Sequence, residues 1–243
     1  MKPLKIVLDA DYFWYRAAEA AQEEHDYSQD LTVVIGDFNA GKKIIKNEIS
    51  HLFERFDTKD ILLTFTDQTN FRKTIDPEYK GNRRKRKPAG YLKLKKWGME
   101  TYPSLMKPSL EADDVCGIIC TNGSIDNFVL VSPDKDMEQI PCRLYNLKEE
   151  WTQTPEAAYK KLWEQVLSGD STDGYKGCKS VGKVKALRIL DNIKDNNYWS
   201  TVVQTFIDND QTEEDALRNL RLARILQAED WDSKKQKPIL YTP

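Results

Sequence analysis

Three short apolar runs, each leading into an acid, constrain this chain more than any other feature of its sequence. Ile6-Val7-Leu8 leads into Asp9, Ile61-Leu62-Leu63-Thr64-Phe65-Thr66 into Asp67, and Phe128-Val129-Leu130-Val131 through Ser132-Pro133 into Asp134. Runs of this length that are apolar at successive positions suit strands covered on both faces, as in a parallel sheet. Between them lie stretches of helical periodicity. One covers residues 12–24; another covers 38–56, with Ile44, Ile45, Ile49, Leu52, Phe53 and Phe56 on one face. Residues 143–147 add a fourth strand. Strands alternating with helices predict an α/β fold with a mostly parallel central sheet.

Beyond residue 150 the pattern becomes helical. Thr154-Pro155 supplies an N-cap and an N1 proline for a helix over 156–167, and later helices are expected over 181–190, 198–207 and 213–226. With 243 residues the chain is long enough to bury a core without disulfides. Its four cysteines are too sparse for a disulfide framework and fit free thiols in a cytoplasmic protein. Cys116 and Cys120 read as core thiols. No apolar run reaches the length of a membrane span, and no leader pattern is expected at the start of the chain.

In an open α/β sheet the carboxyl ends of the strands form the ligand crevice, so Asp9, Asp67 and Asp134 are delivered to one edge. Glu111, Asp113 and Asp114 open an apolar helix, Asp136 follows Asp134, and Asp170 and Asp173 stand at i, i+3 spacing. A single acid of this kind is usually a turn former or a helix cap. Gathering many in one cleft is different, because two carboxylates 4 Å apart repel by roughly 4 kcal/mol at an effective dielectric of 20. Divalent cations relieve that repulsion, and hard oxygen ligands select magnesium or manganese. Carboxylate-held ions beside a phosphate form the two-metal arrangement for phosphodiester hydrolysis.

Charge is segregated along the chain. The net charge is -2, yet residues 79–99 carry nine basic side chains and no acid, leaving the remainder at -11. Tyr79, Tyr91 and Trp97 are interleaved with these cations, a composition suited to phosphates and stacked bases. The apolar content of residues 82–97 is low, and Pro88 and Gly90 interrupt a single long helix. The segment is therefore expected to be mobile or only partly helical without a ligand.

Taken together, these motifs resemble the bacteriophage 5′–3′ exonucleases of the flap-endonuclease superfamily, related to the 5′-nuclease domain of bacterial DNA polymerase I. The resemblance rests on six motifs in order: Ile6-Val7-Leu8-Asp9; Phe65-Thr66-Asp67; Phe71-Arg72 through Asp76-Pro77-Glu78-Tyr79-Lys80-Gly81-Asn82-Arg83; Glu111-Ala112-Asp113-Asp114; Ser132-Pro133-Asp134-Lys135-Asp136; and Gly169-Asp170-Ser171-Thr172-Asp173 followed by Gly177, Val181-Gly182 and Ala186. It implies a single 5′-nuclease unit over 1–243. A PIN-like catalytic core covers 1–150, with a basic helical arch at 79–109. A helical DNA-binding region covers 151–243, with a helix–three-turn–helix at 168–190.

The resemblance also implies the site. Asp9, Asp67, Glu111, Asp113, Asp114 and Asp134 would surround one metal, some through water, and Asp136, Asp170 and Asp173 would complete a second, with Asp134 close to both. Lys80 and Arg83 would reach the scissile phosphate and Tyr79 would stack on a terminal base. Arg16, Arg72, Arg84, Lys85, Arg86, Lys87, Gly177, Lys179, Gly182, Lys183 and Lys185 would contact DNA. Two Mg²⁺ ions, replaceable by Mn²⁺, and a K⁺ at the helix–three-turn–helix are implied. The partner would be DNA with a 5′ end or flap, or an RNA–DNA hybrid in primer removal, handled by a monomer giving 5′-phosphate products. The turn Gly174 to Gly182 departs from the family by lacking its prolines and one glycine.

Two other readings use the same residues. Val7-Leu8-Asp9-Ala10-Asp11 fits a haloacid-dehalogenase-like phosphatase with Asp9 as nucleophile and Asp11 as acid, although such an enzyme has no use for the basic segment. A non-catalytic DNA-binding module would use the basic segment and leave the acids without a role.

Overall fold

The computed structural model describes residues 3–82, 86–193 and 197–242. Its main sheet joins β4 (Ile61–Thr64), β1 (Lys5–Asp9) and β6 (Phe128–Val131) at the centre, in the order β5-β4-β1-β6-β7-β8. β5 (Ser104–Leu105) and β7 (Arg143–Tyr145) extend it in parallel, and β8 (Glu150–Thr152) closes it antiparallel to β7. In register, Ile6 lies between Ile61 and Val129, and Leu8 between Leu63 and Val131.

The apolar runs have a direct physical cause. Ile6, Leu8, Ile61, Leu63, Val129 and Val131 point to one face, where they meet α1 (Ala10–Ala20), α2 (Phe38–Phe56) and α4 (Tyr91–Thr101). Val7, Leu62, Phe128 and Leu130 point to the other, against α5 (Ala112–Thr121) and the segment holding Ile225, Leu226 and Trp231. Both faces are covered, so no position along the central strands could be polar without cost.

The helix expected over 12–24 stops at Ala20. Its buried positions are Ala10, Phe13, Trp14, Ala17 and Ala18, and beyond the buried Ala21 residues 22–28 are almost all exposed, so the apolar face does not continue. Residues 22–36 instead form a hairpin of β2 (Gln22–Ser28) and β3 (Leu31–Gly36). The β-branched run Thr32-Val33-Val34-Ile35 favours strand, and pairing carries the polar strand opposite it into the same state.

The described part of the basic segment is partly helical, as expected, with the helix beginning after Pro88 and Gly90. Residues 91–101 are the helix α4, docked on the core, with Leu94 buried and its carbonyl accepting from the Trp14 indole N–H at 2.9 Å. Gly98 makes this docking possible: a Cβ there would come within 2.5 Å of the Trp14 ring. Arg83, Arg84 and Lys85 lie outside the described residues.

The helical region has its own core of Leu162, Trp163, Val166, Leu167, Leu190, Val202, Phe206, Ala216 and Leu220. It is built from α6 (Pro155–Ser168), α7 (Lys183–Asp191), α8 (Tyr198–Ile207) and α9 (Glu213–Ala223). The Thr154 hydroxyl caps α6 by accepting from Ala157 N–H. Between α6 and α7 the two-residue strands β9 (Gly169–Asp170) and β10 (Tyr175–Lys176) pair antiparallel. Shorter elements are α3 (Arg72–Ile75), two 3₁₀ helices (Lys135–Gln139 and Ala228–Asp230) and the small ladder of β11 (Trp231–Asp232) with β12 (Lys237–Pro238). No helix among the described residues is long and apolar enough to cross a membrane.

Candidate active site

The parallel strands end at one edge, and the acids collect there. Asp9 terminates β1 and is 4% exposed; its carboxylate accepts from the Ser132 hydroxyl at 2.8 Å. The same hydroxyl accepts from Asp134 N–H, and the Asp134 carboxylate caps the short 3₁₀ helix Lys135–Gln139 by accepting from Asp136 N–H at 2.9 Å. Burial, with the negative charges of Asp11 and Asp134, pushes the Asp9 carboxyl up to about 7. Asp113, in the first turn of α5, is raised by burial and by Asp9, Asp134 and Glu111. Asp136 is pushed up to about 7 by burial and by Asp134, Asp170 and Asp173. Two acid groups therefore exist, and Asp134 lies in the field of both.

Among the described residues, no three of these side chains converge on one point as a closed ligand set. The donor chemistry nevertheless fits a divalent cation. The groups are hard oxygen donors, and burial and mutual repulsion raise the carboxyls of Asp9, Asp113 and Asp136, a strain that a cation would relieve. Asp170 points its Oδ1 at Thr172 N–H and Asp173 N–H, forming the tight turn that carries Asp173. Asp67 stands apart from these fields. The N–H of Ser109 and the hydroxyl of Thr69 hold its carboxyl below the usual range.

On the other side of the α5 N-terminus the acids meet cations. Arg72 is 3% exposed and forks onto Asp114 at 2.7 and 2.8 Å, with its remaining donors on Glu111 Oε2 and the carbonyls of Leu222 and Arg224. Asp114 is wholly buried and also accepts from Glu111 N–H and Leu226 N–H. These contacts correct two expectations: Asp114 is enclosed in a structural ion pair with no free edge for a metal, and Arg72 has no donor left for DNA.

Tyr79 is a third correction. Its ring is buried in the helical core and its hydroxyl donates to Glu111 and Asp173, so no face is open to a terminal base. Lys80 bonds Glu111 and lies 3.4 Å from Asp173, at the foot of the basic segment. Burial works against ionisation of Glu111, but Lys80 and Arg72 overcome it and hold the carboxyl at about 2.

Of the other expected contacts, Arg16 is exposed and stacks over Tyr12. Arg86 and Lys87 are exposed and line a cleft with Tyr15, Gln22 and Val34. Gly177 faces inward: a Cβ there would lie 2.3 Å from the Leu167 carbonyl oxygen and from Gly169 N, so it serves close backbone packing. Gly182 is different, since it opens α7 and has empty space around its Cα. Lys179 is tied to Asp210 and Gln211, Lys183 lies 3.7 Å from Glu164, and Lys185 reaches the Ser180 carbonyl.

Several residues of this edge escape sequence reasoning. Asp11 accepts from the Tyr91 hydroxyl at 2.8 Å and Thr66 N–H at 2.9 Å, with Lys95 at 3.9 Å. Thr66 in turn accepts from Ala112 N–H, which joins the segments bearing Asp9, Asp67 and Asp113. With both oxygens accepting, Asp11 is a structural tie, unlike the acid of a phosphatase. Its spacing from Asp9 was the only signal for Asp11; Tyr91 and Lys95 were legible only as members of the basic segment, and Ser132 only as a member of the acidic motif.

Comparison with known proteins places the chain in a family and agrees with its fold. The family model described as 5′-3′ exonuclease, N-terminal resolvase-like domain matches residues 5–164. The chain is 28% identical to the exodeoxyribonuclease of Enterobacteria phage T3, over 98% of this chain and 92% of that protein. It is 27% identical to the exonuclease of Escherichia phage T7, over 98% and 93%. Its fold resembles that of a bacteriophage T5 flap endonuclease crystallised as a pseudo-enzyme-product complex with DNA and metal ions. That match has a TM-score of 0.65 at 18% identity and covers 90% of this chain and 88% of the other.

Proposed function

Because this chain belongs to the 5′–3′ exonuclease family, we propose that its acid edge hydrolyses DNA phosphodiesters near 5′ ends with divalent cations, leaving 5′-phosphate products. The observation that carries this reading is the position of Asp134 in the field of two separate acid groups. Asp9, Asp113 and Asp134, with Glu111 and Asp67 further out, would hold one cation; Asp134, Asp136, Asp170 and Asp173 would hold the other. Magnesium, or manganese in its place, supplies Lewis acidity toward a phosphoryl oxygen and activates water at neutral pH.

The rest is work for this chain's own residues. Lys80 sits between Glu111 and Asp173, where its ammonium offsets phosphate charge as it builds in the transition state. Arg83 shares that task. Arg72 and Asp114 hold the α5 N-terminus against α9 and keep Asp113 facing the edge. Arg84, Lys85, Arg86 and Lys87 take phosphates along the strand, while the open backbone at Gly182 with Lys183 and Lys185 receives the duplex. The turn 177–182 would hold K⁺ against that backbone. RNA–DNA hybrids are accepted as well, and a monomer acts alone.

Polarity is the test. On duplex and flap substrates, a label at the 5′ end should be released first, and a 3′ label should survive until late digestion. The opposite order would overturn the reading, and product sizes would set the balance between trimming and flap cleavage.

A further inference from the structure

Two buried glutamines connect the acid edge to the helical region. Gln165, on the inner face of α6, donates through Nε2 to Asp136 Oδ1 at 2.5 Å. Its Oε1 accepts from Nε2 of Gln139, which is 3% exposed at the end of the 3₁₀ helix. Gln139 also donates to the Ala223 carbonyl at 2.8 Å and accepts through Oε1 from Ile225 N–H at 3.0 Å.

An amide side chain can be turned over to suit its neighbours, but backbone groups cannot. The carbonyl of Ala223, the last residue of α9, and the N–H of Ile225, just past it, therefore fix which way Gln139 faces. Gln139 fixes Gln165, and Gln165 must present N–H to Asp136. The relay is fully satisfied and buried, so reversing it would leave oxygen facing oxygen.

We infer that Gln165 and Gln139 are positioning residues for Asp136. They hold its Oδ1 against an N–H donor and anchor that orientation in the chain at the end of α9. The inference rests on the two-cation reading of the acid edge. It explains why two glutamines, long polar side chains that rarely go fully inside, are buried at the junction of the sheet and the helices. It also assigns a task to the α9 terminus: setting the carboxylate on the Asp134–Asp136 side through the two glutamines, neither of which bonds to Asp9 or Asp113.

The test uses the full chain without DNA, titrated with Mn²⁺ and followed by the electron paramagnetic resonance signal of the free ion. Gln165→Met removes the donor. Gln139→Glu, which touches no acid of the edge, removes the donor to Gln165 and lets that amide turn its oxygen toward Asp136. Each should weaken one class of Mn²⁺ binding by roughly tenfold and leave the other unchanged. The double variant should be no weaker than either single one, since both break the same chain of bonds. In the nuclease assay the metal concentration for half-maximal rate should rise, and excess metal should restore the rate.

If Gln139→Glu does not fold, Gln165→Met and Gln139→Met make the same comparison without a buried charge. Two binding classes in the wild type that persist unchanged in the variants would overturn the relay and spare the two-cation reading. A single class in the wild type would overturn both.

Discussion

The acids around the α5 N-terminus divide by what neutralises them. On one side Asp114 and Glu111 meet Arg72 and Lys80, and the pairs are buried and directional. On the other, Asp9, Asp113 and Asp134 meet chiefly one another, and the carboxyls of Asp9 and Asp113 are driven upward. Three of these acids come from the four residues Glu111-Ala112-Asp113-Asp114, so sequence proximity does not decide their roles. Neutralisation does. A carboxylate enclosed by a cation of its own chain, as Asp114 is by Arg72, builds the scaffold, whereas carboxylates left to repel one another form a site for a cation from outside.

Removing one acid from the repelling side should give the largest effect on function and little on folding. Asp134→Asn should lower turnover by about three orders of magnitude, about 4 kcal/mol of transition-state stabilisation. DNA affinity should persist or rise, because a negative charge facing phosphate has gone. Metal-free stability should be unchanged or higher, because a repulsion has gone too. Single-turnover rates beside urea denaturation separate these outcomes, and near-wild-type turnover with magnesium alone would dissolve the distinction between the two sides.

The paired side should behave in the opposite manner. Arg72→Met leaves Asp114 charged, buried and without a counter-charge, and should cost about 3–5 kcal/mol of stability. Pairing it with Asp114→Leu should recover most of that loss, which is the mark of a structural pair. A loss below about 1 kcal/mol, the range of exposed ion pairs, would place Arg72 at a surface after all.

Metal addition sharpens the contrast. Magnesium at a hundredfold excess over its dissociation constant should stabilise the wild type by about 2.7 kcal/mol. The gain should shrink in Asp134→Asn, and thermal melts with and without the ion measure both.

The same contrast explains what was legible in the sequence. Strand-end acids could be read because an apolar run and the acid that ends it are contiguous, and the helix over 38–56 could be read because its buried face repeats along its own length. The hairpin of β2 and β3 was missed because β2 has the composition of a solvated helix end and owes its state to its partner strand. Arg72 carries the charge of a phosphate ligand, and only Asp114, 42 positions away, reveals it as an internal one. Tyr79 and the buried glutamines were opaque for the same reason: their roles depend on contacts made from distant elements.

Asp11 tests the rule at its boundary, and its expected effect is the smallest. It shares the edge with Asp9, but it is served by a hydroxyl and an amide, with a lysine at 3.9 Å, and its side chain is 24% exposed. Tyr91→Phe removes the hydroxyl and leaves the ring packed against the core. Asp11 then keeps the Thr66 N–H and Lys95, and enough solvent contact to replace one bond by water. The loss should be about 1.5 kcal/mol, the low end for a hydrogen bond to a charged group. A loss matching Arg72→Met would show that Asp11 is a buried charge dependent on its tyrosine. No loss in urea denaturation would show that solvent already serves it, and Asp11 would then belong with the acids open to an outside cation.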